Sequence, residues 1–121
     1  MTSPRVLVVE DDPLVRTAMV RICDWLDLEV TAVEDGLRGI ASLADRRYDL
    51  VLTDLRMPGA SGLDVARQAL SLSPPTAVII VSGFASPDEE AQINSVGAGF
   101  LRKPFDADGA RKVIQDALGS F

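Results

Sequence analysis

The chain has 121 residues, 12 of them basic and 18 acidic for a formal net charge of −6, with no histidine and one cysteine. That length suits a single domain with a real core, and the acidic balance argues against direct nucleic-acid binding by this chain. A lone cysteine excludes an internal disulfide and leaves zinc almost nothing to bind, while the missing histidine removes the usual proton shuttle.

Val6 to Val9 reads as a first strand that runs into Glu10-Asp11-Asp12. Asp12 then caps a helix with Pro13 at its first position, and Val15, Met19, Ile22, Cys23 and Leu26 recur at helical spacing on one face. Cys23 reads there as a buried thiol. Glu29 to Val33 is a second strand, Asp35-Gly36 a break, and a short helix follows to about Ala44. Leu50 to Thr53 forms a third strand that ends at Asp54. A loop containing Pro58-Gly59 leads to a helix with Leu63, Ala66 and Leu70, which Pro74-Pro75 closes.

Ala77 to Val81 is the fourth strand and the longest uninterrupted apolar stretch, far too short to span a bilayer. Ser86-Pro87-Asp88-Glu89 matches a capping box, and the helix it opens has only Ala91, Ile93 and Val96 as apolar anchors. A fifth strand runs to Leu101 and into Arg102-Lys103-Pro104. Asp106 caps the last helix, whose buried face is Val113, Ile114, Ala117 and Leu118. No basic leader precedes Val6, so a cytoplasmic location without membrane contact is the expectation.

Near-continuous apolar strands alternating with helices predict a parallel sheet buried on both faces. Right-handed crossovers then give an α/β doubly wound five-stranded sheet in the order 2-1-3-4-5 with five helices, as one domain over residues 1–121 with its core at 5–118. The carboxyl ends of such strands share one edge, where ligands bind. On that order Glu10-Asp11 and Asp54 are neighbours, and Lys103 reaches the same edge. Acids and a lysine meeting there suit a hard cation and a phosphoryl group.

From Val6 to Leu118 the chain resembles a receiver domain of a bacterial two-component response regulator. The resemblance rests on Glu10-Asp11, on Asp54 running through Met57-Pro58-Gly59 to Gly62, on Ser82-Gly83, and on Lys103-Pro104-Phe105, each at a strand end and in order. It implies a flavodoxin-like fold and a phosphoacceptor that takes a phosphoryl group on Asp54 from a histidine kinase or histidine phosphotransfer protein. No multiple-turnover catalysis is implied. Glu10, Asp11, Asp54 and the backbone carbonyl of Arg56 would bind Mg2+, with Mn2+ as a substitute, and Asp12 lies one position too late to join them. Lys103, aimed by a cis bond to Pro104, and Ser82 would hold the phosphoryl oxygens. Phe100 stands at the switch aromatic, as phenylalanine rather than the frequent tyrosine. Arg56, Gly83 and Phe84 would line the entrance and tune the lifetime of the phosphoryl group.

The same resemblance implies a downstream effector or fused output domain as partner, a phosphorylation-dependent dimer, and a switching surface made by the fourth helix, fifth strand and fifth helix. The chain itself is read as containing no effector domain. Three other readings compete. A haloacid-dehalogenase-like phosphatase would need a second aspartate two residues after the nucleophile, where Arg56 stands. A nucleotide or flavin site would need a glycine fingerprint after a strand, whereas Gly97-Ala98-Gly99 precedes one. A phosphorylation-independent docking module would lack part of the site, and no part is missing.

Overall fold

The computed structural model describes residues 3–119, so Met1, Thr2, Ser120 and Phe121 of the expected domain lie outside the described residues. The elements alternate as β1 (Arg5–Val9), α1 (Pro13–Trp25), β2 (Glu29–Val33), α2 (Gly36–Asp45), β3 (Leu50–Asp54), α3 (Gly62–Leu70), β4 (Ala77–Ser82), α4 (Pro87–Val96), β5 (Gly99–Arg102) and α5 (Ala107–Leu118). All pairings are parallel, and the strand order is β2-β1-β3-β4-β5, as expected. Among the described residues no helix is long and apolar enough to cross a membrane.

Side chains of successive strand residues point to opposite faces, and the strands use both. Leu7, Val9, Val51, Val78 and Ile80 pack with Leu43 of α2, Val65 and Ala69 of α3 and Ile93 of α4. Val6, Val8, Leu50, Leu52, Ile79 and Val81 pack on the other face with Met19 and Cys23 of α1 and Ala110 and Ile114 of α5. Interior strands β1, β3 and β4 are therefore buried almost throughout, while the edge strands β2 and β5 are only partly covered. Burial pushes the Cys23 thiol up to about 12, which keeps it protonated and inert at neutral pH.

Three strands extend one residue beyond their apolar runs, to Asp54, Ser82 and Arg102. The backbone ladder continues where the side chains have already turned polar. Helix caps follow the sequence closely: Asp12 accepts from the Leu14 and Val15 amides, Ser86 and Glu89 form a capping box, and Asp106 accepts from the Gly109 amide. Gly97 is the left-handed C-cap of α4, which gives the glycine pair before β5 a structural role. Helix α4 buries only Ile93 fully, the poorest anchoring of the five. Peptide bonds Lys103-Pro104 and Ser73-Pro74 are both cis, the second without any expectation from the sequence.

One glycine positions the site directly. The Gly62 amide donates to the Leu55 carbonyl at 2.8 Å, and a Cβ at Gly62 would collide with the Asp54 carbonyl. The start of α3 is thereby pressed against the backbone that carries Asp54. At Gly83 a Cβ would meet nothing closer than the Lys103 Cβ at 3.9 Å. We expect Gly62→Ala to destabilise the protein by about 1–3 kcal/mol, and Gly83→Ala to stay within about 0.5 kcal/mol of the parent. Urea melts of the two variants check this contrast, and equal midpoints would refute it.

Candidate functional site

Register brings the charged strand ends together. Val9 pairs with Thr53, so Glu10 and Asp54 each lie one residue beyond that pair on neighbouring strands. Asp54 pairs with Val81 and Ser82 with Arg102, and the Lys103 amide extends the ladder by donating to the Ser82 carbonyl at 2.9 Å. Glu10, Asp11 and Asp54 each present a carboxylate oxygen within 4.8 Å of the others. Asp12 stands outside this group, occupied in capping α1. The three acids form a compact set of hard oxygen donors, which fits a divalent cation of the magnesium type.

Lys103 supplies the positive charge of the pocket. Its Nζ donates to Glu10 Oε1 at 2.8 Å and to Asp54 Oδ1 at 3.3 Å. Glu10 is fully buried, while the Lys103 side chain keeps 23 % of its exposure and Asp54 13 %. Burial pushes the Glu10 carboxyl above its ordinary 4.5, with the Asp54 charge adding to the rise, and the bonds from Lys103 and the Asp12 amide only partly offset it. For Lys103 burial disfavours the ammonium, yet Glu10 and Asp54 together outweigh it and hold the group above its ordinary 10.5.

Glu10 is fixed on every side. Its amide donates to the Val33 carbonyl at 3.1 Å, its Oε2 accepts from the Asp12 amide at 3.1 Å, and its carbonyl accepts from Arg16 Nη1 at 2.9 Å. The contact from Arg16 was not foreseen. A half-buried arginine one turn into a helix carries no periodic signal that marks it as part of a site.

A second assembly joins the loop after Asp54 to α4. The Ser82 hydroxyl donates to the Phe84 carbonyl at 2.8 Å, and the same carbonyl accepts from Arg56 Nη1 at 2.8 Å. Arg56 also pairs with Glu89, and its guanidinium lies 5.8 Å from the centre of the Phe84 ring. Glu89 in turn accepts from the Ser86 amide at 2.9 Å, and that bond first, with the Ser86 hydroxyl and Arg56 assisting, holds its carboxyl below the ordinary 4.5. Ser82 thus faces backbone in this state. Phe84 is 63 % exposed, so Arg56 and Phe84 form an outer rim beside Gly83.

Phe100 is half-buried and packs against the α4-side core, paired in register with Ile80 two residues before Ser82. With Glu90, Ile93, Asn94 and Arg102 it lines a cleft of about 320 Å³ between α4 and β5. Ser82 and Phe100 therefore share one face of the sheet, the face that α4 covers.

A family model described as response regulator receiver domain matches residues 6–115. The DNA-binding transcriptional regulator NtrC of Salmonella typhimurium is 33 % identical over 117 residues, covering 96 % of this chain and 25 % of that protein. The chain spans about a quarter of the length of the longer curated relatives it matches. The response regulator receiver protein CpdR of Brucella abortus is 31 % identical over 105 residues, which is 84 % of this chain and 85 % of CpdR. Among solved structures, the receiver domain of a sensor histidine kinase from Pseudomonas aeruginosa, with a magnesium ion coordinated in its active-site cleft, aligns with a TM-score of 0.86 at 26 % identity, covering 98 % of this chain and 100 % of that one.

Removing Lys103 exposes its electrostatic role. Its contribution is present while Glu10 is ionised and Lys103 charged, so it is lost as pH falls through the raised value of Glu10 and again as pH rises through the raised value of Lys103. Lys103→Met should cost the metal-free protein on the order of 3 kcal/mol at pH 8 and much less below pH 4.5, the ordinary glutamate value. Denaturant melts in chelator at the two pH values test this, and a pH-independent cost would contradict it.

Proposed function

Since this chain belongs to the response regulator receiver domain family, the phosphoacceptors of two-component signalling, we propose that Asp54 is its phosphorylated residue. The observation that carries this reading is the meeting of Asp54, Glu10, Asp11 and Lys103 at one strand edge, with the Lys103 ammonium bridging two of the acids. Among the described residues no other cluster combines a nucleophilic carboxylate, a hard donor set and a fixed cation.

A partner's phosphohistidine is the donor in this reading, supplied by a histidine kinase or a phosphotransfer protein. An Asp54 carboxylate oxygen forms the new P–O bond as the donor's P–N bond breaks, and the imidazole leaves with the bonding pair. Glu10, Asp11, Asp54 and the Arg56 carbonyl would hold Mg2+ or Mn2+, which would neutralise charge on the transferring group. The magnesium of the Pseudomonas aeruginosa receiver supports that assignment. Lys103 supplies a point charge to a phosphoryl oxygen from a position already against Asp54. Arg56 offers no general acid where a phosphatase would need one, because a guanidinium does not give up its proton near neutral pH; it is engaged instead with Phe84 and Glu89.

The phosphoryl group brings about −1.5 to −2 of charge and three acceptor oxygens in place of the single charge of the carboxylate it esterifies. Ser82 can serve such an oxygen only by leaving the Phe84 carbonyl, so the start of the β4–α4 loop changes its bonding. Phe100 and α4 stand next along the same sheet face, with α4 the least anchored helix. A downstream effector or output domain that reads this face is the matching partner.

Intact-mass analysis after treatment with acetyl phosphate and Mg2+ should show one added phosphoryl group on the parent and none on Asp54→Asn. Equal labelling of both would end the assignment. Hydrogen exchange with and without beryllofluoride should change over residues 82–105 more than over α1, through a minor state that exists before modification. Changes confined to the loop after Asp54 would place the output surface elsewhere.

A further inference from the structure

We infer that Arg16 is a positioning residue of the cation site: its hydrogen bond to the Glu10 carbonyl fixes the peptide that aims Asp11. This rests on the reading that Glu10, Asp11 and Asp54 hold a divalent cation.

Glu10 and Asp11 lie where β1 stops and the chain reverses into α1. Sheet pairing holds the Glu10 amide through Val33, and Asp12 anchors the following turn by capping α1. Between these two points the peptide joining Glu10 to Asp11 has one fastening, the 2.9 Å bond from Arg16 to its carbonyl. Glu10 is held again at both carboxylate oxygens, by Lys103 and by the Asp12 amide. Asp11 is exposed, and its side chain has no protein partner among the described residues. Its direction therefore depends on its backbone alone.

Without Arg16 the carbonyl of a fully buried residue loses its donor. Buried acceptors left unpaired are costly, so the peptide rotates to find water. That rotation swings Asp11 away from the point where it meets Glu10 and Asp54. Arg16 reaches its bond from the rim of a cleft of about 250 Å³ that it shares with Ala32, Val33, Glu34 and Arg38. Among the described residues it makes no ion pair with an acid, and its bond is to the backbone.

Charge and positioning predict opposite signs. A guanidinium close to the acids repels an incoming cation, so deleting its charge alone tightens Mg2+ binding. Deleting the fastening weakens binding, by about tenfold if the contact behaves like other partners that orient metal ligands. Arg38 borders the same cleft but is tied to Glu34 and Asp35, which makes it the matched control.

Mg2+ titrations at constant ionic strength, followed by amide NMR shifts at the strand ends, compare the parent with Arg16→Met, Arg16→Gln, Arg16→Lys and Arg38→Met. Arg16→Met keeps the apolar stem and Arg16→Gln keeps a polar surface, so the test survives if one of them fails to fold. Both should bind about tenfold more weakly, Arg16→Lys should recover most of the loss, and Arg38→Met should match the parent. Phosphorylation rates from acetyl phosphate should return toward the parent value at saturating Mg2+. Tighter binding in the neutral variants would overturn the inference in favour of charge alone. Unchanged affinity with only a lower melting temperature would reduce Arg16 to a structural residue. A parent that shows no saturable Mg2+ response would overturn the cation reading itself, an outcome distinct from both.

Discussion

The Lys103 ammonium, held between Glu10 and Asp54, is the interaction on which the site depends. Carboxylates gathered at a sheet edge repel one another, and one of them is completely buried. A cation standing among them offsets that repulsion in the metal-free fold. Lys103 directly follows β5, the strand farthest from Glu10 on that side of the sheet, so the pocket exists only when β1, β3, β4 and β5 are assembled in register. The chemistry of the site and the cooperativity of the sheet are therefore one property. A small divalent cation and a lysine can then divide the acids between them.

Two assemblies extend from this pocket in different directions. On the side of α1, sheet pairing, a helix cap and Arg16 fix the Glu10-Asp11 turn, and nothing there suggests movement. On the side of α4, contacts are shared. Ser82 and Arg56 both use the Phe84 carbonyl, and Glu89 serves both the capping box and Arg56. Such shared contacts couple Ser82, Arg56 and Glu89, so a change at one alters the bonding of the others. Firmly fixed donors on one side and a loop of coupled contacts on the other suit a switch, since a change at the acid must be transmitted without loosening the acids themselves.

Much of this was legible in the sequence. Apolar runs such as Val6–Val9 and Ala77–Val81 mark interior strands because both their faces are buried, and strand ends in a parallel sheet must share an edge, so Glu10, Asp11, Asp54 and Lys103 could be grouped before any geometry was known. The distinction between Asp11 and Asp12 was also readable, since proline at the next position marks Asp12 as a cap. Strand lengths were read one residue short at Asp54, Ser82 and Arg102 because hydrophobicity follows side-chain burial while the ladder follows backbone bonds. Arg16 and Arg56 were harder. The Arg56 side chain was recognised only as part of the rim, and its grip on Glu89 joins positions 33 residues apart with no pattern to announce it. Long flexible cations reach partners that periodicity does not encode.

The doubly used carbonyl of Phe84 gives the protein a built-in vibrational reporter. Amide carbonyls stretch at lower frequency the more donors they accept, and this one accepts two, from a hydroxyl and a guanidinium. If Ser82 turns toward Asp54, one donor departs and the stretch rises, and if Arg56 also releases, it rises again. Isotopic labelling of that single carbonyl would separate the three bonding states in one infrared spectrum, so the order in which the hydroxyl and the guanidinium let go could be followed in time.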